Sequence, residues 1–358
     1  MTSREAKFNS SGVFKAVLSI GVIGVGKLGE LHLKLLKELV LERRDLSIAG
    51  VWDISEARLK AVASQHGVLA FGSLEEAIES CDAAIIAASA SAHYDLGKAF
   101  LQRGVHLFIE KPLAATIAQA EELIALERRT GAKIQVGHIE RFNPALVAAE
   151  RHLGEPVFIA AERLSGFSRR VSDVSVVLDL MIHDIDLILS LVKSEVRSVV
   201  ASGASVFSGD LDIANARLEF QNGAVASVTA SRISRSKLRK MRFFCKHPNS
   251  YASLDLSAGK AEIFRIVDAP SARKASLKEA ATQKILNLFG DIAETLNGKT
   301  IEYLAPEPPK LNPLKEEQRS FFDAILGGAP IRVDSEAGRR ALEVAEKITT
   351  EIRSSLAR

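Results

Sequence analysis

Leu18-Ser-Ile-Gly-Val-Ile-Gly-Val-Gly-Lys-Leu-Gly29 decides the fold. Leu18 to Ile23 is a short apolar run, the composition of a buried parallel strand. Gly24, Gly26 and Gly29 follow in Gly-x-Gly-x-x-Gly spacing. Beyond them apolar residues recur at helical intervals, at Leu31, Leu33, Leu35, Leu36, Leu39 and Val40. Strand, glycine turn and helix in that order form the pyrophosphate cradle of a dinucleotide-binding βαβ unit. Gly24 permits the tight turn, Gly26 lets the backbone approach the phosphates, and Gly29 lets the helix pack close to the strand. The N–H groups that open the helix, around Lys27 and Leu28, face the anion. A second strand-like run, Leu46-Ser-Ile-Ala-Gly-Val-Trp-Asp53, ends in an acid 24 residues after Gly29. That is near the offset of about 20 at which a carboxylate binds the ribose hydroxyls of NAD and repels the 2′-phosphate of NADP. The nearest basic residue is Arg58.

Apolar runs and amphipathic stretches alternate to about residue 137. Val68 to Phe71, Ala83 to Ala88, His106 to Ile109 and Lys133 to Val136 read as further strands. Ser73-Leu-Glu-Glu76 is a capping box opening a helix, His93 to Arg103 is a second helix, and Ile117 to Thr130 is a third, closed by Gly131. The alternation predicts a doubly wound parallel sheet of Rossmann type over residues 15–140. Ligands of such sheets lie outside the carboxyl ends of the strands, which points to Gly24, Asp53, Ser89, Glu110 and His138. After residue 140 the pattern changes. Asn143 to Leu153 and Val176 to Val192 read as helices, and Val157 to Leu164 as a strand. Val196 to Val206, Ile213 to Phe220, Ala224 to Ser231, Met241 to Cys245, Tyr251 to Leu256 and Ala261 to Val267 read as strands too. Asn222-Gly223 is a hairpin signal. This predicts an α+β domain over 141–312 with one large, mostly antiparallel sheet flanked by helices. Residues 303–313 hold four of the ten prolines and should run extended. Leu314 to Ile325 and Glu336 to Ile352 are amphipathic helices, expected to pack back on the body over 313–358. Residues 1–14 are expected to be a disordered polar tail.

The chain has 358 residues, long enough for two domains, with 47% hydrophobic and 25% charged residues. A formal net charge of +3 gives no reason to expect a nucleic-acid partner. The two cysteines, Cys81 and Cys245, form no framework and no metal-ligand spacing, which suits a reducing cytoplasm. Arg4, Lys7 and Lys15 before the apolar stretch imitate a secretory signal. Lys27 ends that stretch without a cleavage site, so a buried strand explains it better. No segment has the length to span a membrane. A sheet with one face uncovered points to a homo-oligomer, dimer or tetramer.

Chemistry-bearing residues fall in three places. Glu110-Lys-Pro112 directly follows an expected strand. Asp179-Leu-Met-Ile-His183 places Asp179 and His183 four residues apart on one helix face. A histidine titrates near neutrality and suits the removal of a hydroxyl proton while hydride leaves the same carbon. The Lys111 ammonium can polarise the developing oxyanion or, desolvated, relay the proton itself. His183 is the preferred base and Lys111 the other candidate; Asp179 orients His183 or binds a substrate hydroxyl. His183-Asp184-x-Asp186 has no partner cluster, and no metal is expected. The third place is Val136-Gly-His-Ile-Glu-Arg-Phe-Asn-Pro144.

With the glycine loop, Asp53, Ala92-His93 and the final Ala341-Leu-Glu-Val-Ala, these motifs make the chain from residue 17 resemble the glucose-fructose oxidoreductase, inositol dehydrogenase and rhizopine catabolism family. The resemblance implies NAD-dependent oxidation of a secondary hydroxyl, with Lys111, Asp179 and His183 as catalytic residues. It further implies that the loop through Ser89 and His93 covers the nicotinamide ribose, with Glu110 and Lys111 beside the cofactor. The third motif is similar to a narrower subgroup, the nucleotide-sugar 3-dehydrogenases acting on UDP-N-acetylglucosamine or its uronic acid. Their 3-keto products pass to a partner aminotransferase in lipid A or surface-polysaccharide synthesis. That likeness implies that Arg141 and Asn143 line the sugar pocket, although an Asn-Pro helix start explains Asn143 as well.

Ser231 to His247 carries Arg232, Arg235, Lys237, Arg239, Lys240, Arg242 and Lys246 without an acid. It reads as a solvated strand face, as a patch for the diphosphate of a nucleotide sugar with Arg235 central, or least well as a nucleic-acid site. Arg163, Arg169 and Arg170, before the Asp179 helix, are further candidates for a diphosphate. His32 and His66 read as helix-surface residues. Two other functions compete: oxidation of a free sugar or cyclitol, and a non-catalytic NAD-binding sensor or scaffold, against which intact Lys111, Asp179 and His183 speak.

Overall fold

The computed structural model describes residues 17–166, 174–268 and 299–357. The expected polar tail and the candidates Arg169 and Arg170 lie outside the described residues. The chain divides into two compact units, one of residues up to Phe142 with Leu311–Glu343, the other of Asn143–Lys310 with Val344 onward.

The first unit alternates strand and helix: β1 (Leu18–Ile23), α1 (Lys27–Glu42), β2 (Leu46–Trp52), α2 (Glu56–His66), α3 (Leu74–Ser80), β3 (Ala83–Ile86), α4 (His93–Leu101), β4 (His106–Glu110), α5 (Ile117–Thr130) and β5 (Ile134–Gly137). The strands pair in parallel in the order β2-β1-β3-β4-β5. Winding reverses at β1, so the crevice for a ligand opens at the carboxyl ends of β1 and β3. The expected strand Val68 to Phe71 shrinks to one parallel bridge between Val51 and Ala70. Left-handed Gly67 closes α2 and Ser73 caps α3, which leaves too few residues between them for a ladder. The core is β1 and β3 packed under Leu33, Leu36 and Leu39 of α1, with Phe321 and Phe322 of the later helix Pro313–Gly327. The buried stripe of α1 runs through Gly29, His32, Leu33, Leu36 and Leu39, whereas Leu31 is exposed. His32 is therefore a core residue, a correction to its reading as a surface histidine.

The second unit begins with α6 (Pro144–Ala149) and β6 (Glu155–Leu164). A π-helical turn, Val177–Met181, then leads into α7 (Ile182–Val192). β7 (Val196–Ala204), β8 (Ile213–Phe220), β9 (Val225–Ser231), β10 (Leu238–Lys246), β11 (Ser250–Asp255), β12 (Lys260–Asp268) and β13 (Lys299–Leu304) complete an eight-stranded sheet. Its order is β13-β12-β11-β10-β6-β9-β8-β7. Only the β6–β9 pairing is parallel. Gly223, at φ +84°, makes the turn between β8 and β9 that Asn222-Gly223 signals. A row of aromatic rings in cross-strand register, Phe158, Phe244, Tyr251, Phe264 and Tyr303, crosses five strands from β6 to β13. The chain closes with α8 (Pro313–Gly327) and α9 (Ser335–Leu356). No helix among the described residues is long and apolar enough to cross a membrane.

Candidate active site

In the first unit the strand ends form a binding edge. Gly24 sits at φ +85°, and a Cβ there would lie 2.7 Å from the Ala88 backbone, so β1 and β3 exit in contact only because position 24 is glycine. A Cβ on Gly29 would come 1.8 Å from the Gly24 carbonyl oxygen, which ties the first turn of α1 to the loop. Gly26 is different. A Cβ there would meet nothing within 4 Å, and as the N-cap of α1 it supplies no capping side chain. The opening turn of α1, through exposed Lys27 and Leu28, thus presents backbone N–H groups to an anion over open space. This is a cradle into which the pyrophosphate of NAD fits.

Asp53, at the exit of β2, holds the cradle in shape. Its carboxylate accepts the Val25 N–H at 2.9 Å and the Ser55 N–H at 2.8 Å. Arg58 also donates to it, at 3.2 Å. Ser89 is exposed at the exit of β3, and its hydroxyl lies 3.2 Å from that of Ser91. His93 is buried. Its Nδ1 faces the Pro112 carbonyl oxygen at 2.8 Å and its Nε2 the Ala88 carbonyl oxygen at 3.1 Å. The ring expected to touch the cofactor instead ties the loop after β3 to the loop after β4, since both nitrogens are used on backbone.

Glu110 closes β4. Its Oε1 lies 2.8 Å from His32 Nε2, and its Oε2 accepts the Lys111 backbone N–H at 3.2 Å. A Cβ on Gly137 would stand 2.8 Å from that Oε2, so β5 can end beside Glu110 only with glycine there. Lys111 follows, half-buried. Glu110, placed with the cofactor by the sequence, thus faces inward to a polar cluster. Among the described residues, His32, Glu110 and Glu317 are the one group of three potential ligands with atoms within 4.8 Å of one another. No sequence motif announces Glu317 or its neighbour Gln318 on α8.

In the second unit Asp179 lies within the π turn and His183 one residue into α7. Such turns are rare and concentrate at functional sites. Both side chains are half-buried, while the flanking Met181, Ile182, Asp184 and Ile185 are buried. Asp184 receives the fork of Arg163: Nε to Oδ2 at 2.9 Å and Nη2 to Oδ1 at 2.7 Å, with both side chains 3% exposed. Arg163 was expected at a diphosphate. Its guanidinium is instead spent on joining the helix of His183 to β6.

Asn143 is corrected in the same way. Its Oδ1 accepts the Ala145 N–H at 3.0 Å as the N-cap of α6, and its Nδ2 donates to the Leu256 carbonyl oxygen at 2.9 Å. The cap reading holds, and the side chain is buried. Arg141 is half-buried, and its carbonyl oxygen accepts two bonds from Arg332. Arg235 is exposed. The basic stretch is broken up by acids from elsewhere in the second unit. Arg242 pairs with Glu162, and Arg232 is buried against Asp212 at 2.8 Å. Burial opposes the Asp212 charge. The Ser208 hydroxyl, the Phe207 and Val206 N–H groups and Arg232 together outweigh it and hold the carboxyl far below the usual range.

Comparison with known proteins bears on this geometry. Residues 18–138 match the model of the oxidoreductase family with NAD-binding Rossmann fold, and residues 147–247 match the GFO/IDH/MocA C-terminal domain. UDP-N-acetylglucosamine 3-dehydrogenase from Acidithiobacillus ferrooxidans is 31% identical over 340 residues, 94% of this chain and 98% of that protein. A solved structure of that enzyme superposes with a TM-score of 0.80 at 30% identity, covering 95% of this chain and 99% of its own. The NAD-dependent scyllo-inositol 2-dehydrogenase of Bacillus subtilis is 29% identical over 236 residues, 60% of this chain and 67% of that protein. The NAD-binding cradle on a five-stranded parallel sheet, the eight-stranded second sheet and the full-length match together place the chain in the GFO/IDH/MocA family of NAD-dependent oxidoreductases.

Proposed function

We propose that this oxidoreductase oxidises the C3 hydroxyl of a UDP-N-acetylhexosamine, with UDP-N-acetylglucosamine as the substrate and its 3-keto sugar as the product. The observation that carries this reading is the likeness along nearly the full chain to an enzyme of that name, where the inositol dehydrogenase match covers 60% of the chain. Bound NAD supplies the acceptor for the hydride leaving C3. The chain's own residues do the rest. The amides around Lys27 and Leu28 neutralise the pyrophosphate, and Asp53 takes the ribose hydroxyls. His183 accepts the C3 hydroxyl proton as the hydride departs, and Asp179 orients it. The Lys111 ammonium stabilises the alkoxide character that grows on that oxygen. Arg235 and Arg141 are the proposed contacts for the diphosphate and sugar. A 3-keto product is the substrate an aminotransferase requires, so a transaminating partner follows in the reaction sequence.

The test is NADH formation by purified protein with NAD and UDP-N-acetylglucosamine, read against a panel of free sugars and cyclitols. Turnover with the nucleotide sugar and none with the panel is expected. Oxidation of inositol alone would replace this reading by the cyclitol one.

The same reading includes self-association through the second sheet. Phe158 and Phe244 in its aromatic row are 37% and 42% exposed, beside an apolar groove of about 680 Å³ lined by Val157, Tyr251, Phe264 and Ile266. An apolar surface of this kind needs a cover, and a sheet face pairs with its own copy by two-fold symmetry. Sedimentation at micromolar concentration is expected to give a dimer or tetramer that Phe244→Glu dissociates. A monomeric wild type would end this part of the proposal.

A further inference from the structure

Beneath the Glu110-Lys111 segment lies a polar cluster that neither hydride nor proton transfer explains. His32, from α1, is fully buried with its ring edge-on to Phe108. The Gln318 amide nitrogen stands 2.8 Å from His32 Nδ1 and 3.1 Å from the His32 carbonyl oxygen. A carbonyl can only accept, so that nitrogen is the donor and Nδ1 receives its second hydrogen. The ring proton therefore sits on Nε2 and is donated to Glu110 Oε1. The ring N–H and the Lys111 N–H both donate to the Glu110 carboxylate.

Glu317 is also fully buried, and neither of its carboxyl oxygens has a hydrogen-bond partner among the described residues. Its backbone is pinned, since Gln135 Nε2 donates to its carbonyl oxygen at 2.6 Å. Burial, and the charge of Glu110 beside it, push the Glu317 carboxyl well above the usual carboxylate range. Two titratable groups have an atom within 4.8 Å of it, Glu110 on β4 and His32 on α1. Gln135 and Gln318 are polar but do not titrate.

We propose that Glu317 and His32 are positioning residues, forming with Glu110 a buried acid, carboxylate and imidazole set that holds the Glu110-Lys111 segment in place for the cofactor. The His32 N–H meets an acceptor-only carboxylate, and a protonated Glu317, with an oxygen within 4.8 Å of it, supplies an O–H that can turn to the same carboxylate, so that Glu110 cannot swing away without leaving buried donors unmet. A cation fits the set poorly, because the His32 nitrogen facing Glu110 already carries a hydrogen. The inference rests on NAD lying along the strand ends as proposed above.

Its test uses NADH binding and infrared spectroscopy on the full chain, neither of which needs the sugar, so a wrong substrate leaves both readable. The wild type should show the C=O stretch of a buried carboxylic acid, and Glu317→Gln should remove it. Glu317→Gln, which still donates, should keep NADH affinity within about two-fold, whereas Glu317→Leu and His32→Phe should each weaken it about ten-fold. Wild-type affinity in both Glu317→Leu and His32→Phe would overturn the proposal, as would an acid band unchanged by Glu317→Gln. One divalent cation per chain, lost in Glu317→Gln, would overturn it in favour of a metal site.

Discussion

Replacing His183 by Asn is expected to lower kcat for the sugar by roughly 10²- to 10⁴-fold while NADH binding stays near the wild-type value. The range is what a positioned proton acceptor contributes to a transition state. Affinity for the dinucleotide should hold, because its cradle is built by backbone and side chains of the first unit and His183 belongs to the second. Asn keeps a polar group of similar breadth at a half-buried site, so the protein should still fold. Lys111→Met should lose a comparable factor, since it removes the ammonium that stabilises the forming oxyanion. The pH profile separates their roles. If His183 is the base, the acid limb of kcat/KM present in the wild type vanishes in His183→Asn and survives in Lys111→Met. The reverse pattern would make Lys111 the base and reduce His183 to a hydrogen-bonding group. Full activity in both variants would remove the dehydrogenase site from this place altogether.

The backbone part of this site is legible in the sequence, and the side-chain part is legible only where one element decides it. Gly24 and Gly29 can be read because their duties are local: a positive φ and a helix start that no Cβ could occupy. The parallel strands can be read because burial on both faces leaves continuous apolar runs. Val68 to Phe71 has that composition yet forms one bridge, because the caps at Gly67 and Ser73 limit the run, and capping outranks composition there. The fate of Arg163 depends on Asp184, 21 residues away on a different element, and no periodicity joins them. Asn143 carries two sequence signals, a pocket residue and an Asn-Pro cap, and the hydrogen bonds select the cap. His32 did leave a trace. It lies three residues after Gly29 and four before Leu36, on the apolar stripe of α1, where a surface histidine has no place. Glu317 left none, since an acid on an amphipathic helix looks solvated until its neighbours are known.

Arg163→Met is expected to destabilise the second unit by about 3–5 kcal/mol, the cost of stranding one member of a buried ion pair. Asp184 would keep its place in α7 with its best donor gone, and at 3% exposure water cannot replace the guanidinium. The double variant Arg163→Met with Asp184→Leu should recover most of that loss, because an apolar pair of similar volume leaves no buried charge. Denaturant unfolding of the wild type, the two single variants and the double variant gives the coupling directly. The same variants settle what the arginine is for. A residue that bound the substrate diphosphate would raise KM for the nucleotide sugar when replaced and leave unfolding unchanged, and restoring the partner balance at position 184 would not help. An arginine that fixes α7 to β6 gives the opposite pattern: stability falls, activity falls with it as His183 loses its mounting, and the double variant restores both.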